Sequence, residues 1–205
     1  MWLKICGMTS PEAVSAALDA QVDALGFVFA PSVRELQPQQ AAQLAAPARG
    51  RALCIAVTQH PSQALIEQIL AEFAPDVLQT DLDDLAALRL PASLSVLSVV
   101  RGALAKARAV PRRLLFEGPR SGSGGPADWR QAMLLARATQ LILAGGLTAA
   151  NVAAAIQTVR PFGVDVSSGV ESAPGRKSPQ RIVEFVQAAR AAFAGIDHER
   201  DGKTR

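Results

Sequence analysis

The chain has 205 residues, 49% of them hydrophobic, with 21 Lys and Arg against 18 Asp and Glu and a formal charge of +3. That length fits one domain or a small pair, and so apolar a chain can bury a large core. The basic residues are mostly scattered arginines without a run, so no nucleic-acid partner is expected, whereas weak steering of a small anionic substrate is. Two cysteines, Cys6 and Cys54, form no disulfide framework and lack metal-ligand spacing, and the only histidines are His60 and His198. No metal site is therefore expected. No charged-then-apolar leader occurs, and no apolar run reaches the roughly 18 residues of a membrane span. The expectation is a reduced, cytoplasmic protein that meets no membrane.

Short β-rich runs alternate along the chain with longer Ala-rich stretches of helical spacing. The first strand spans 2–6 and ends on Cys6, and Gly7 breaks it. Ser10, Pro11 and Glu12 then supply a cap residue, a proline at the first helical position and an early acid for a helix over 11–20. Further strands are predicted over 24–29, 52–57, 77–79, 94–100, 113–117, 140–143 and 163–166. Further helices are predicted over 38–46, 61–73, 82–88, 104–109, 129–138, 149–159 and 179–193. His60-Pro61 and Ser178-Pro179 repeat the proline device. The strands are continuous apolar runs, as expected where both sheet faces are covered. Eight strand–helix units predict an α/β fold, a single-domain, eight-stranded parallel (β/α)8 TIM barrel over 1–195, with a polar, frayed tail over 196–205. A doubly wound nucleotide-binding sheet would carry Gly-x-Gly-x-x-Gly after its first strand. Only Gly7 stands there.

A barrel places Cys6 on the carboxyl rim, where such folds keep their chemistry. Gly145 and Gly146 follow strand seven, and Ser167, Ser168 and Gly169 follow strand eight. Loops after these two strands often hold a phosphate, because glycines let backbone N–H groups converge on an anion. The segment 118–126 is rich in Gly, Ser and Pro and suits a mobile lid.

Four motifs carry a resemblance. Lys4-Ile5-Cys6-Gly7-Met8-Thr9, Ala24-Leu25-Gly26-Phe27-Val28-Phe29, Leu143-Ala144-Gly145-Gly146-Leu147-Thr148 and Gly163-Val164-Asp165-Val166-Ser167-Ser168-Gly169-Val170-Glu171 are similar to those of the phosphoribosylanthranilate isomerase family of tryptophan biosynthesis. The likeness spans residues 2 to about 190. It implies an Amadori rearrangement of N-(5'-phosphoribosyl)anthranilate to 1-(2-carboxyphenylamino)-1-deoxyribulose 5'-phosphate, with no metal or organic cofactor. A general acid protonates the ring oxygen, and a general base removes the C2' proton.

The resemblance assigns the base to Cys6. A thiol with a pKa near about 8.5 needs help to become a thiolate, and Lys4 lies on the same face of the strand, deeper in the barrel. Cys54, mid-strand, reads as structural. The family's acid is an aspartate at the end of strand six, where this chain has Leu114-Leu115-Phe116-Glu117. Two alignments compete: Phe116 replaces the acid, or a one-residue slide makes Glu117 the acid. Adjacent strand residues face opposite ways, and phenylalanine is the better residue for the helix layer. Glu117 is therefore expected to face the barrel mouth as the acid, its carboxyl kept protonated by burial or a like charge. Asp128 is the next candidate.

Arg34, matching a family arginine, is implied to hold the anthranilate carboxylate, for which a two-pronged donor is suited. Val33 stands where the family has proline. Asp165 is implied to lie near the ribose hydroxyls. Gln79 is expected to face the site, within Gln79-Thr80-Asp81, where a family histidine is missing. Gly145, Gly146, Ser167, Ser168 and Gly169 are expected to bind the phosphate. The first-strand cysteine and the lack of an internal repeat argue against a dual-substrate isomerase that also serves histidine biosynthesis. Missing histidine ligands argue against a metal-dependent pentose-phosphate epimerase. A catalytically dead, ligand-binding barrel follows if Glu117 faces away. The only partner expected is a small phosphorylated substrate, and no leftover apolar stripe calls for more than a monomer.

Overall fold

The computed structural model describes residues 1–101, 110–118 and 128–202, the last six as backbone only. Eight parallel strands close in sequence order into a barrel: β1 (Trp2–Cys6), β2 (Ala24–Val28), β3 (Leu53–Val57), β4 (Val77–Asp81), β5 (Ser95–Arg101), β6 (Arg113–Glu117), β7 (Gln140–Leu143) and β8 (Gly163–Val166). The described α-helices are α1 (Pro11–Asp19), α2 (Pro38–Ala45), α3 (Gln63–Glu72), α4 (Trp129–Ala136), α5 (Val152–Val159) and α6 (Pro179–Gly202). The protein is a (β/α)8 TIM barrel. None of the described helices is long and apolar enough to cross a membrane.

Strand alternation sorts the core into two layers. Trp2, Ile55, Leu97, Val99, Leu115 and Ile142 fill the barrel interior. Leu3, Ile5, Leu25, Phe27, Leu114, Phe116, Leu143 and Val164 face outward and pack under the helices. Capping follows local chemistry. Ser10 Oγ accepts from Ala13 N at 3.3 Å, with Pro11 in the first turn of α1.

Several elements differ from expectation. The helix expected over 61–73 starts at Gln63, because Ser62, not Pro61, makes the turn, its hydroxyl accepting from Leu65 N at 3.2 Å. The stretch over 82–88 holds only a 3-10 turn, Asp84–Ala86. Asp84 there spends its carboxylate on Thr80 Oγ1 (2.9 Å) and on the backbone N–H of His60 (3.0 Å), a side-chain competition with the helix ladder. Strands β4 and β5 run on to Asp81 and Arg101, which bring two charged side chains to the rim. The helix expected over 179–193 continues to Gly202. The helix expected over 104–109, and all but the first residue of the 118–126 lid, lie outside the described residues. After β8 the chain forms a 3-10 turn, Ser168–Val170, then an antiparallel hairpin of β9 (Glu171–Ala173) and β10 (Arg176–Lys177).

Candidate active site

A pocket of about 280 Å³ opens at the carboxyl ends of the strands. Cys6, Arg34, Gln79, Glu117 and Asp165 line it, as do Gly145, Gly146, Ser167 and Ser168. Gly169 does not line it. A Cβ at Gly169 would run into the carbonyl of Leu147, so this glycine instead lets the loops after β7 and β8 close on each other. Gly145 and Gly146 take positive φ angles of 89° and 66°, a conformation that costs glycine little.

Cys6 ends β1, beside Gly26 of β2. A Cβ on Gly26 would stand 2.9 Å from Cys6 Sγ and 3.1 Å from Lys4 Cε, so the thiol and the lysine stem occupy the space glycine leaves. Lys4 is wholly buried and donates to Asp165 Oδ1 at 3.0 Å. Burial works against its charge, but Asp165 and Cys6 together hold its pKa above the ordinary value. Burial pushes the Cys6 thiol up, and the Lys4 ammonium opposes that shift. Burial likewise raises Asp165, against the same lysine.

Glu117 faces the pocket, while its neighbour Phe116 packs in the outer layer with Leu114. The reverse arrangement would forfeit about 2–3 kcal/mol of phenylalanine burial and place a carboxylate among apolar groups. Arg101, the register partner of Glu117 on β5, donates from Nε to Glu117 Oε1 at 2.7 Å, with Nη2 at 2.6 Å from the same oxygen. Arg101 Nη1 donates to Asp81 Oδ1. Asp128 is the N-cap of α4, its Oδ1 accepting from Arg130 N at 2.9 Å, and does not line the pocket.

Arg34 is buried, and its fork is closed on Glu171: Nε to Oε1 at 2.6 Å and Nη2 to Oε2 at 2.9 Å. Lys177 Nζ donates to Glu171 Oε1 at 2.7 Å and to Ser167 O at 3.0 Å. Burial alone would raise the Glu171 carboxyl, but hydrogen bonds from Arg34 and Lys177 outweigh it and hold the pKa at about 2. Burial lowers Lys177. Gln79 is buried, and its Oε1 has no hydrogen-bond partner among the described residues.

Sequence reasoning gave no role to Glu171, Lys177, Arg101 or Asp81. The first two follow Ser167-Ser168 closely, and an acid and the basic pair Arg176-Lys177 so near a phosphate loop are the available signal. The pocket lining includes no histidine. His60, Asp81 and Asp84 gather beside it, their ligand atoms within 4.8 Å of one another. Asp81 is already paired with Arg101, and Asp84 with Thr80 and His60, so the group reads as a hydrogen-bonded rim cluster. A thiol and a carboxyl facing one pocket, with glycine loops beside them, suit proton transfers on a small anionic molecule.

The sequence model of the N-(5'phosphoribosyl)anthranilate (PRA) isomerase family matches residues 3–188. The chain belongs to this family. Among the phosphoribosylanthranilate isomerases, that of Nitrobacter hamburgensis is 40% identical, with 93% of each chain covered, and that of Afipia carboxidovorans is 41% identical, with 93% of this chain and 89% of that one covered. The crystal structure of TrpF from Jonesia denitrificans superposes with a TM-score of 0.77 at 40% identity, covering 94% of this chain and 98% of that one. A phosphoribosyl anthranilate isomerase in complex with reduced 1-(o-carboxyphenylamino)-1-deoxyribulose 5-phosphate gives a TM-score of 0.73 at 25% identity, with 93% and 99% covered.

Proposed function

We propose that this isomerase converts N-(5'-phosphoribosyl)anthranilate to 1-(2-carboxyphenylamino)-1-deoxyribulose 5'-phosphate, with Glu117 as general acid and Cys6 as general base. The observation that carries the reading is that both side chains open onto one pocket bordered by the loops after β7 and β8. Protonated Glu117 gives its proton to the furanose ring oxygen as the C1'–O bond breaks, leaving a C1'=N iminium. The Cys6 thiolate takes the C2' proton, and the electrons of the C–H bond move through C1' to nitrogen. The resulting enolamine loses its hydroxyl proton and gains one at C1', giving the 2'-ketone. Atoms and charge balance, as an isomerisation requires.

The other residues follow from their chemistry. Backbone N–H groups at Gly145, Gly146, Ser167 and Ser168, with the Ser168 hydroxyl, hold the 5'-phosphate, while the Ser167 hydroxyl donates to the Cys6 carbonyl at 3.0 Å. Gly169 serves by letting the two loops meet. Arg34, fixed by Glu171, offers the remaining edge of its guanidinium to the anthranilate carboxylate. Gln79 Oε1, a buried acceptor without a donor among the described residues, receives a ribose hydroxyl. The Lys4 ammonium favours the Cys6 thiolate, and Asp165 anchors that lysine and adds negative charge for the iminium.

Under this reading the protein works as a cytoplasmic monomer. Its exposed large apolar residues, among those described, sit singly on separate elements, as with Val33, Leu134 and Val183. Sedimentation checks the monomer, and a stable dimer contradicts it. The function is tested by turnover of freshly prepared N-(5'-phosphoribosyl)anthranilate. Isomerisation well above the solution rate is expected, and a rate equal to it leaves only a ligand-binding barrel.

A further inference from the structure

Arg101 is a guanidinium between two carboxylates. Its Nε and Nη2 sit on Glu117 Oε1, at 2.7 and 2.6 Å, while Nη1 sits on Asp81 Oδ1. Arg101 and Glu117 line the pocket with Cys6, whereas Asp81 stands behind Arg101 on β4. Asp81 is only 7% exposed, and its second oxygen, Oδ2, is buried without a hydrogen-bond partner among the described residues. A buried carboxylate oxygen with no donor is costly. His60 Nε2 lies 3.9 Å from it, beyond hydrogen-bond distance.

The chemistry asks something of Glu117 that this pairing opposes. Two nitrogens of Arg101 already fill Glu117 Oε1, while a general acid must present a proton of its own to the substrate. The pair must therefore open before the ring oxygen is protonated. An open acceptor for the released N–H is Asp81 Oδ2, on the carboxylate that Arg101 already touches.

We infer that Arg101 is a positioning residue with two seats, and that substrate binding turns its guanidinium from Glu117 onto both oxygens of Asp81, so that Glu117 takes up a proton from solvent. The inference rests on Glu117 being the acid. One proton enters from the buffered solvent and forms the O–H bond of Glu117, and the arginine only exchanges hydrogen-bond partners. Asp81 serves as the alternative counter-ion, so the arginine never loses a partner as Glu117 becomes neutral. The other titratable and charged groups around this pair, among those described, include Cys6 and Arg34 in the same pocket, Asp165, whose carboxyl feels the Glu117 charge, and His60 and Asp84 on the outer side of Asp81.

Proton uptake on binding reduced 1-(2-carboxyphenylamino)-1-deoxyribulose 5'-phosphate tests this, by calorimetry near neutral pH in two buffers of different ionisation enthalpy. The analogue's own titration is common to all variants, so the readout is the difference from Glu117→Gln. Wild type is expected to take up about one proton more per site than Glu117→Gln, and Asp81→Asn to lose at least about half of that excess. In turnover, Asp81→Asn is expected to lower kcat by about tenfold with KM within about threefold. Should Asp81→Asn fail to fold, Arg101→Lys carries the same test, because one ammonium cannot span both carboxylates as a fork does. Equal uptake by wild type and Glu117→Gln overturns the inference, as does wild-type kcat and uptake in Asp81→Asn or Arg101→Lys. If Glu117→Gln itself turns over like wild type, the acid assignment falls. If Glu117→Gln is inactive while the other two variants match wild type, only the two-seat arginine falls.

Discussion

Lys4 and Asp165 are register partners across the seam where β1 meets β8, and their ion pair, Nζ to Oδ1 at 3.0 Å, lies under Cys6 at the base of the pocket. The same contact that closes the barrel brings an ammonium to the thiol. Burial raises Cys6 and Lys4 opposes it, so the alkylation rate of Cys6, which follows the thiolate alone, is expected to rise with pH above the ordinary thiol range. Lys4→Met removes the opposing ammonium, which moves this limb to still higher pH and lowers kcat at neutral pH. It also strands Asp165, at a cost of about 3–5 kcal/mol in stability. A pH profile of Cys6 alkylation, with kcat at neutral pH and chemical denaturation beside it, checks both effects. An unmoved limb in a folded variant separates Lys4 from the thiol.

Cys6→Ala is expected to lower kcat by about 10²- to 10⁴-fold. Only a small buried side chain is trimmed, so stability changes by about 1 kcal/mol or less. Steady-state turnover and a urea melt make the comparison, and substantial activity in the alanine variant moves the base to another group.

Gly26→Ala tests the space around the thiol. The added methyl would stand 2.9 Å from Cys6 Sγ and 3.1 Å from Lys4 Cε, tighter than packed carbons allow. Displaced Cys6 and Lys4 side chains are expected to cost at least about tenfold in kcat, since small misplacement of reacting groups is expensive. Thiol alkylation rates offer an independent readout of the displaced sulfur.

Glu171 links Arg34 to Lys177 and should carry stability as well as position. Its folded pKa of about 2 lies below the ordinary 4.5. The carboxylate therefore stabilises the fold above about pH 4.5, a contribution lost as pH falls toward 2. Glu171→Gln is expected to lose about 3 kcal/mol at neutral pH, where two cations are left underpaired. The gap from wild type narrows on acidification. A pH series of urea melts reads it, and a gap that is constant with pH contradicts the ion-pair account. KM should also rise, because Arg34 loses its support.

Legibility in the sequence followed how local each feature was. The strands over 2–6, 113–117, 140–143 and 163–166 have the same bounds in the structure, since short apolar runs ended by glycine or polar residues are local signals. The outward face of Phe116, and with it the pocket face of Glu117, was readable from strand alternation and burial cost alone. Leucines at 82, 85 and 88 imitate a helix, but Asp84 bonds to Thr80 and His60 instead. The Asp81–Arg101–Glu117 cluster was not legible. It joins the ends of three strands, and the polar pair Thr80-Asp81 looks like the start of a loop until its pairing with Ser98 and Val99 is seen. The closed fork of Arg34 on Glu171 was hidden for the same reason, as its partners lie 137 residues apart.

The most direct test of the account is kcat of Glu117→Gln on freshly prepared N-(5'-phosphoribosyl)anthranilate. The amide keeps the size and the contact with Arg101 but has no acidic proton to give. A fall of at least about 100-fold, with KM within about threefold, is the predicted result. A kcat within about twofold of wild type would contradict the assignment of Glu117 as the acid.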